Sequence, residues 1–440
     1  MSGKIRTEII SRKCIKPTSP TPPHLNSFKL SLLDQLSPNI HGNITFFYPY
    51  TAGNTTHFCF KSQLLQNSLS ETLTRFYPLA GRLRDATIDC NDDGAFFIES
   101  RTDATLSDFL GKPDFDTVEQ NFLPTADNET VESSNGAMFL ARFTLFGCGG
   151  TAVSLCLNHK IVDLGTLLTV LQSWTAACRG GVEQSPNDAD LNLGASLFPP
   201  REIPGMSASV NIPAAEKFTA RRFVFSASNV GELKRRVLHS HQFHPSRVEV
   251  VLALIWRCAM CATRAKTGSF KPSALFQAVN LRSRMEPPAP ETTIGNFVWP
   301  FAVTAEKEEE LELHCAVRRM REGMKEFVEM GAKGLREGGG FEAVMGFLKK
   351  RGEMLKKEEG IVVYKCSSWC RYPLLEVDFG WGKPVWRTSV NRIVSNTIAL
   401  MDVEDGGVEA LITLDEQEMD VFEQHHEMLH YAVLNPSILI

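Results

Sequence analysis

Short apolar runs and amphipathic helical segments follow one another along the first half of the chain. Leucines recur at helical spacing over residues 57–76, which predicts an amphipathic helix. The runs between helices are rich in β-branched and aromatic residues, which favours strands. The strands predicted in this half are 44–50, 94–100, 137–146 and 151–160. A second amphipathic helix follows residue 163, and Gly180 and Gly181 end it.

The composition changes at residue 181. Residues 181–215 are rich in Pro, Gly, Ser, Asn and Asp and have no periodicity, which predicts a linker. We therefore expect an N-terminal domain over 1–180 and a C-terminal domain over 216–440. Because strands and helices are mixed in both, the predicted fold class is α/β with two domains of similar size.

The pattern of the second half starts with a strand and a helix for which Ser228 is a suitable N-cap. Residues 305–357 are charged and read as helical, with an interruption at the glycines 338–340. Strands return after residue 359. A single helix is predicted over 415–432, with acidic residues in its first turn.

Composition excludes several classes of protein. The chain has 440 residues, of which 43% are hydrophobic and 22% charged, as in an ordinary globular protein. A net charge of −5 argues against binding nucleic acid through phosphate neutralisation. The first residues contain no apolar core of the length a signal peptide needs, and no apolar run is long enough to span a bilayer. We expect a cytoplasmic protein without a membrane segment.

The 11 cysteines are odd in number and scattered, which does not suggest a disulfide framework. Cys258 and Cys261 form one CxxC pair within a helical pattern and lack a second pair at zinc-site spacing. They read as buried free thiols, since free cysteine behaves as a small apolar residue.

The segment LNHKIVDLGT, residues 157–166, places a histidine at the end of a predicted strand and an aspartate four residues later. His159 and Asp163 could form a catalytic pair, half a metal site or a polar seam in the core. A free imidazole titrates near pH ~6.5, so a neutral base is available. A catalytic zinc site needs a third protein ligand, and no HExxH is present. His425 and His426 are adjacent and would point apart on a helix.

Two other chemistries lack their motifs. The chain has no GxSxG nucleophile elbow, which argues against a serine hydrolase. The letters DFG, a protein-kinase motif, occur at 378–380. No HRD loop or glycine-rich phosphate loop accompanies them, which argues against a kinase. Gly380 and Gly382 flank Trp381, and Asp378 stands where its side chain can accept from the amides of a turn. By itself this segment predicts a stiff structural loop.

Together, HKIVD (159–163) and DFGWGKP (378–384) resemble the BAHD acyltransferases of plants. The other stretches that resemble this family, in chain order, are LSLLD (30–34), YPLAGRL (77–83), VNLRSRMEPP (279–288), IGNF (294–297) and SSWCRYP (367–373). The resemblance covers nearly the whole chain and is greatest to the O-acetyltransferases of alkaloids and other specialised metabolites. It implies a fold like that of chloramphenicol acetyltransferase, with two domains joined by a long crossover loop and a channel between them.

The resemblance also implies an activity and its partners. Acyl-CoA, with acetyl-CoA expected, would be the cosubstrate, and no metal or permanently bound cofactor is implied. The acceptor would be a small-molecule alcohol, an alkaloid or terpenoid-like metabolite, and the enzyme a monomer. The alternatives are an N-acyltransferase, a transferase of larger aromatic or aliphatic acyl groups, and a non-catalytic relative that binds a ligand or partner.

The residue roles implied by the resemblance centre on the histidine. His159 would be the general base, and Asp163 would face away from it and pair with Arg282. Asp163 orienting the imidazole directly is the alternative. Trp369 and Ser367 would stabilise the oxyanion, with plain core packing as the alternative for Trp369.

Five further residues receive supporting roles. Asp378, Gly380, Trp381 and Gly382 would shape their loop at a distance from the reaction. Ser246 would line the coenzyme A entrance, with a simple helix N-cap as the alternative.

Overall fold

Two mixed β-sheets carry the fold, and each is packed against helices. The structure, a computed structural model, describes residues 5–50, 58–126, 136–181, 191–202, 218–238, 243–329, 340–357, 360–390 and 395–440. The predicted linker at 181–215 lies largely outside the described residues, apart from 181 and 191–202. The mixed α/β class with sheets in both halves is confirmed.

The first sheet has six strands in the order β1-β6-β7-β8-β3-β13, with β6 and β7 parallel and the other pairs antiparallel. A small antiparallel sheet has the order β2-β5-β4. The strands of these two sheets that come from the first half are β1 (Glu8–Ile15), β2 (Ser27–Lys29), β3 (His41–Tyr48), β4 (Arg82–Arg84), β5 (Thr87–Asp89), β6 (Ala95–Thr102), β7 (Phe139–Phe146) and β8 (Thr151–Asn158).

The second sheet has seven strands in the order β11-β10-β12-β14-β15-β9-β16. Strand β12 is parallel to both of its neighbours, and the other pairs are antiparallel. The strands of the second half are β9 (Phe218–Phe225), β10 (Ser273–Asn280), β11 (Val298–Ala305), β12 (Val362–Ser368), β13 (Trp386–Thr388), β14 (Thr397–Asp402), β15 (Val408–Asp415) and β16 (Val433–Leu434).

Helices cover these sheets. The α-helices are α1 (Leu32–Leu36), α2 (Phe58–Arg75), α3 (Leu106–Gly111), α4 (Phe115–Thr117), α5 (Leu164–Cys178), α6 (Leu193–Leu197), α7 (Ala227–Leu238), α8 (Arg247–Thr267), α9 (Leu313–Phe327), α10 (Gly340–Lys357), α11 (Glu416–Phe422) and α12 (His426–Tyr431). A π-helical turn, Val118–Phe122, follows α4. Short 3-10 turns lie at Pro23–Leu25, Tyr77–Ala80, Pro124–Ala126, Arg282–Arg284, Glu308–Leu311 and Leu374–Glu376.

The predicted helices over 57–76 and after residue 163 are confirmed as α2 and α5. These two helices pack against each other, and Trp174 of α5 donates its indole N–H to the carbonyl of Leu65 of α2 at 3.1 Å. Strand β8 lies beside them with all eight residues buried, as its nearly continuous apolar sequence indicates.

Three details of the second half differ from the sequence prediction. Ser226 caps α7 in place of Ser228, because its hydroxyl accepts from the N–H of Asn229 at 3.2 Å. The charged segment from 305 becomes α-helical only at Leu313. The final helix is broken into α11 and α12, and His425 is the N-cap of α12.

The break places two histidine rings together. The His425 and His426 rings stack with their centroids 4.8 Å apart, so the prediction that they point apart is wrong. The rings meet because His425 lies outside the helix and has an extended backbone.

Strand β13 comes from the second half and pairs with β3 at the edge of the first sheet. Trp386 of β13 stacks on Phe47 of β3 with ring centroids 5.3 Å apart. Arg387, the next residue, reaches back to the second sheet, where Glu409 accepts from it at 2.9 Å and from Arg222 at 2.6 Å. The two sheets therefore share an apolar cluster and a buried charge network at this strand.

Candidate active site

His159 follows directly after β8, and its main chain is held at both polar atoms. Its N–H donates to the carbonyl of Ile40 at 2.8 Å, and its own carbonyl accepts from the amide Nδ2 of Asn296, also at 2.8 Å. The side chain is half-buried, with Nδ1 buried and without a partner among the described residues. Nε2 is not among the buried atoms that lack a partner, and no described residue forms a hydrogen bond with it, so it is the more accessible nitrogen of the ring.

Asp163 turns away from the imidazole and begins helix α5. Its Oδ1 accepts from the N–H of Thr166 at 2.8 Å, and its Oδ2 accepts from the N–H of Phe297 at 2.9 Å. Arg282 donates to both oxygens, at 2.7 and 3.0 Å. With both oxygens filled in this way, the alternative in which Asp163 orients the ring of His159 has no hydrogen bond to support it in the described structure.

Arg282 is completely buried and still has acceptors for its guanidinium. In addition to Asp163, it donates to the carbonyls of Thr293 at 2.9 Å and Gly295 at 3.0 Å, and to the hydroxyl of Thr166 at 3.2 Å. A buried charge is tolerated when it is paired and hydrogen-bonded in this way. Because Asp163 follows the first sheet and Arg282 follows β10 of the second, the pair joins the two halves next to His159.

Gly165 is required by the same contact. A Cβ atom at Gly165 would lie 2.7 Å from Nη1 of Arg282, closer than real Cβ atoms approach a neighbour. Glycine at this position therefore lets the guanidinium lie against the first turn of α5. Because Arg282 lies far from Gly165 in the chain, spacing along the sequence could not predict this contact.

Trp369 and Ser367 lie at the end of β12 and contact each other. The indole N–H of Trp369 donates to Oγ of Ser367 at 3.1 Å, so this donor is already used. The hydroxyl proton of Ser367 has no acceptor among the described contacts. Trp369 and Tyr372 pack against the apolar cluster that contains Ile161 of the HKIVD turn. Trp369 therefore borders the same apolar cluster as the turn, and Ser367 is held by its contact with Trp369.

The DFGWG segment forms a closed turn against the first half. Oδ1 of Asp378 accepts from the N–H groups of Gly380 at 2.7 Å and Gly382 at 2.9 Å. Both glycines have positive φ, 104° and 107°, which only glycine adopts readily. Phe379 packs edge-on against Trp174 of α5, with ring centroids 5.1 Å apart. The loop is thus bound to the domain that carries His159, and it leads into β13.

Ser246 is the N-cap of α8. Its hydroxyl accepts from the N–H of Glu249 at 3.2 Å, and its own N–H donates to the Glu249 carboxylate at 2.6 Å. This capping box is the structural role that the sequence allowed as an alternative. A role in coenzyme A binding stays a prediction.

Asp34 and Asn296 are functional candidates that the sequence reasoning missed. They lie in the quoted stretches LSLLD and IGNF, and the two side chains meet, with Asn296 Nδ2 3.0 Å from Asp34 Oδ1. Burial raises the pKa of the Asp34 carboxyl, and hydrogen bonds from Ser31 and Asn296 lower it in part. The signal in the sequence was only that both residues occur in stretches typical of the family.

One cluster outside this region has the residue types of a metal site. Cys258, His425 and Glu427 place potential ligand atoms within 4.8 Å of one another. Glu427 is already paired with Arg257 at 3.5 Å and Arg236 at 3.4 Å, and His425 Nδ1 accepts from the N–H of Glu427 at 3.3 Å. Burial raises the pKa of the Cys258 thiol and favours its protonated form. These contacts explain the cluster as polar packing between α8 and α12.

Among the described helices, none has the length and hydropathy that crossing a bilayer requires.

Comparisons with known proteins agree on a family. The model of the Transferase family matches residues 5–429. The chain is 35% identical to a limonoid 7-O-acetyltransferase of Citrus sinensis, over 98% of this chain and 99% of that protein. It is 34% identical to the 17,18-epoxy-17-hydroxycur-19-ene N-malonyltransferase of Strychnos nux-vomica, over 98% and 92%. The crystal structure of vinorine synthase superposes with a TM-score of 0.83 at 32% identity, covering 98% of this chain and 99% of that one.

Substitution of Gly165 by alanine tests the packing of Arg282. We expect Gly165→Ala to displace the guanidinium and lower the free energy of unfolding by about 1–3 kcal/mol. Gly231→Ala is the matched control, because Gly231 lies inside α7 and its added Cβ would meet nothing within 4 Å. The control should gain about 0.5–1 kcal/mol from helix propensity. Denaturant unfolding of both variants checks this, and equal stability of the two would contradict the contact.

Removal of the Asp163 carboxylate tests the ion pair. Asp163→Ala leaves Arg282 buried without its counter-charge, so we expect a loss of about 3–5 kcal/mol in stability together with lower folded yield and activity. Thermal unfolding and activity are measured on the same preparation. Normal thermal stability combined with lost activity would contradict the structural role of Asp163.

Proposed function

The chain belongs to the Transferase family, the BAHD acyltransferases, and from this premise we propose that it transfers acetyl from acetyl-CoA to a hydroxyl of a plant specialised metabolite. It is an acyltransferase that uses acyl-CoA as cosubstrate. The acceptor is proposed to be alkaloid or terpenoid-like, which agrees with the names of its O-acetylating relatives. We further propose that it acts as a monomer in the cytoplasm.

The observation that carries the proposal is the placement of His159. Its main chain is fixed from both halves, Nε2 is the more accessible nitrogen of its ring, and the nearby carboxylate of Asp163 is engaged elsewhere. An imidazole held in this way can accept the proton of a bound hydroxyl at Nε2 when that nitrogen is unprotonated. This is the arrangement that a general base requires.

The reaction follows in two stages. Nε2 of His159 takes the proton of the acceptor hydroxyl while the oxygen attacks the thioester carbonyl, which forms the C–O bond of a tetrahedral intermediate. The intermediate then collapses, the C–S bond breaks, and the proton passes from Nε2 to the leaving sulfur. The products are the ester and free coenzyme A. General-base assistance contributes roughly 10²–10⁴-fold, and holding both substrates together supplies on the order of 7–11 kcal/mol.

Ser367 is proposed as the donor to the oxyanion, with Trp369 as its support. The indole N–H of Trp369 donates to Oγ of Ser367. This bond polarises the hydroxyl and leaves the hydroxyl proton for another acceptor. This divides a role that the sequence assigned to both side chains. Asp378, Gly380, Trp381 and Gly382 act at a distance, through the turn that they close.

A matrix of donors and acceptors tests the function. Acetyl-CoA, malonyl-CoA and a longer acyl-CoA are each combined with alcohols and amines of alkaloid and terpenoid type, and product ester or amide is measured. We expect turnover with acetyl-CoA and an alcohol, and loss of turnover in His159→Ala with unchanged thermal stability. Wild-type turnover in His159→Ala on the best pair would refute the mechanism. Amide formation in preference to ester would favour the N-acyltransferase, which the name of one relative supports.

Ser367 variants test the oxyanion donor. Ser367→Ala should lower kcat by about 10²–10³-fold, the usual effect of removing one such donor. Ser367→Thr keeps the hydroxyl and should retain most of the activity. A rate in Ser367→Ala close to that of Ser367→Thr would show that the oxyanion is stabilised elsewhere.

A further inference from the structure

A second polar network, separate from Asp163 and Arg282, reaches His159. Asp34 lies in α1, and its Oδ2 accepts from the N–H and hydroxyl of Ser31 at 3.0 and 2.6 Å. Its Oδ1 accepts from the backbone N–H and side-chain amide of Asn296 at 2.7 and 3.0 Å. Four donors thus converge on the two oxygens, which act as acceptors.

The amide of Asn296 has two hydrogens and uses both. One goes to Asp34, and the other goes to the carbonyl of His159 at 2.8 Å. Asn296 is 2% exposed and comes from the second half of the chain, whereas Asp34 and His159 belong to the first. A residue of one half therefore connects two segments of the other, through the peptide that carries the proposed base.

The backbone around Asn296 is built for this contact. Gly295 has φ of 114°, and a Cβ there would lie 3.4 Å from Oδ1 of Asp34. Gly295 also forms a parallel bridge with Val162, inside the HKIVD turn. Lys160 is buried next to this region, donates to the carbonyl of Gln35 at 2.8 Å, and interacts electrostatically with Asp34. The charge of Asp34 thus has a nearby cation in addition to its donors.

We infer that Asn296 is a positioning residue for His159 and that Asp34 is the anchor that holds Asn296. The inference rests on the proposed role of His159 as general base. Asn296 acts on the peptide and leaves the ring free, so it fixes where the imidazole stands without competing for Nδ1 or Nε2. A catalytic group displaced by about 1 Å loses on the order of 10²-fold in rate, which gives the clamp a measurable consequence.

The test is a double-mutant cycle between Asn296 and His159. Asn296→Ala should lower kcat about 10- to 100-fold and leave KM for acetyl-CoA nearly unchanged, with activity normalised to folded protein. In the His159→Ala background the same substitution should have no further effect on the residual rate, because the group that it positions is gone. A purely structural role would lower stability in both backgrounds and leave the normalised kcat at its starting value.

Controls separate the possible outcomes. Asn229→Ala removes a comparable amide contact, the 2.9 Å bond to the carbonyl of Tyr431, and should leave kcat unchanged. Asp34→Asn, which keeps the side-chain volume and removes the charge, replaces Asn296→Ala if that variant does not fold, and should reduce kcat in the same direction. If His159→Ala is inactive and Asn296→Ala keeps the wild-type kcat, the inference is overturned and the proposed function stands. The same holds if Asn296→Ala lowers kcat equally in the wild type and in His159→Ala. Wild-type turnover in His159→Ala would instead overturn the proposed function.

Discussion

The buried ion pair between Asp163 and Arg282 is the constraint on which the site depends. Both side chains are at most 1% exposed, and the pair joins a turn after the first sheet to a turn after β10 of the second. Desolvating two charges costs several kcal/mol for each, and this is offset only when the remaining donors and acceptors are also satisfied. Here carbonyls, a hydroxyl and backbone N–H groups complete both partners. Few other arrangements of the two halves would satisfy all these groups. The pair therefore specifies how the halves meet as much as it stabilises them.

A second junction lies at β13, into which the DFGWG segment leads. The turn closed by Asp378 sends the chain from the second half into the edge of the first sheet, where β13 pairs with β3. Arg387 then ties this strand back to Glu409 of the second sheet. The two halves are thus joined beside His159 and again at the sheet edge. Each junction opposes rotation of the halves about the other. The geometry of a site shared by both halves follows from the two together.

The sequence predicted what depends on neighbours along the chain. The helices α2 and α5, the strand β8 and the turn of Asp378 all follow from local periodicity or from a side chain that caps nearby amides. The orientation of Asp163 came from the family resemblance, because spacing alone left the ring of His159 as its possible partner. The contact between Asp34 and Asn296 joins residues 262 positions apart, and no local pattern records such a distance. His425 was misassigned because no glycine or proline marks the helix break before it.

In this arrangement His159, the proposed base, is held through its backbone. In a serine-type triad a carboxylate orients the imidazole and stabilises its charged form. Here the carboxylate nearest in sequence is bound to Arg282, and the peptide of His159 is fixed by Ile40 and Asn296 instead. The ring can therefore gain and lose a proton during one turnover without breaking any bond that maintains the fold. The charges that join the two halves and the proton of the proposed reaction are therefore carried by different groups.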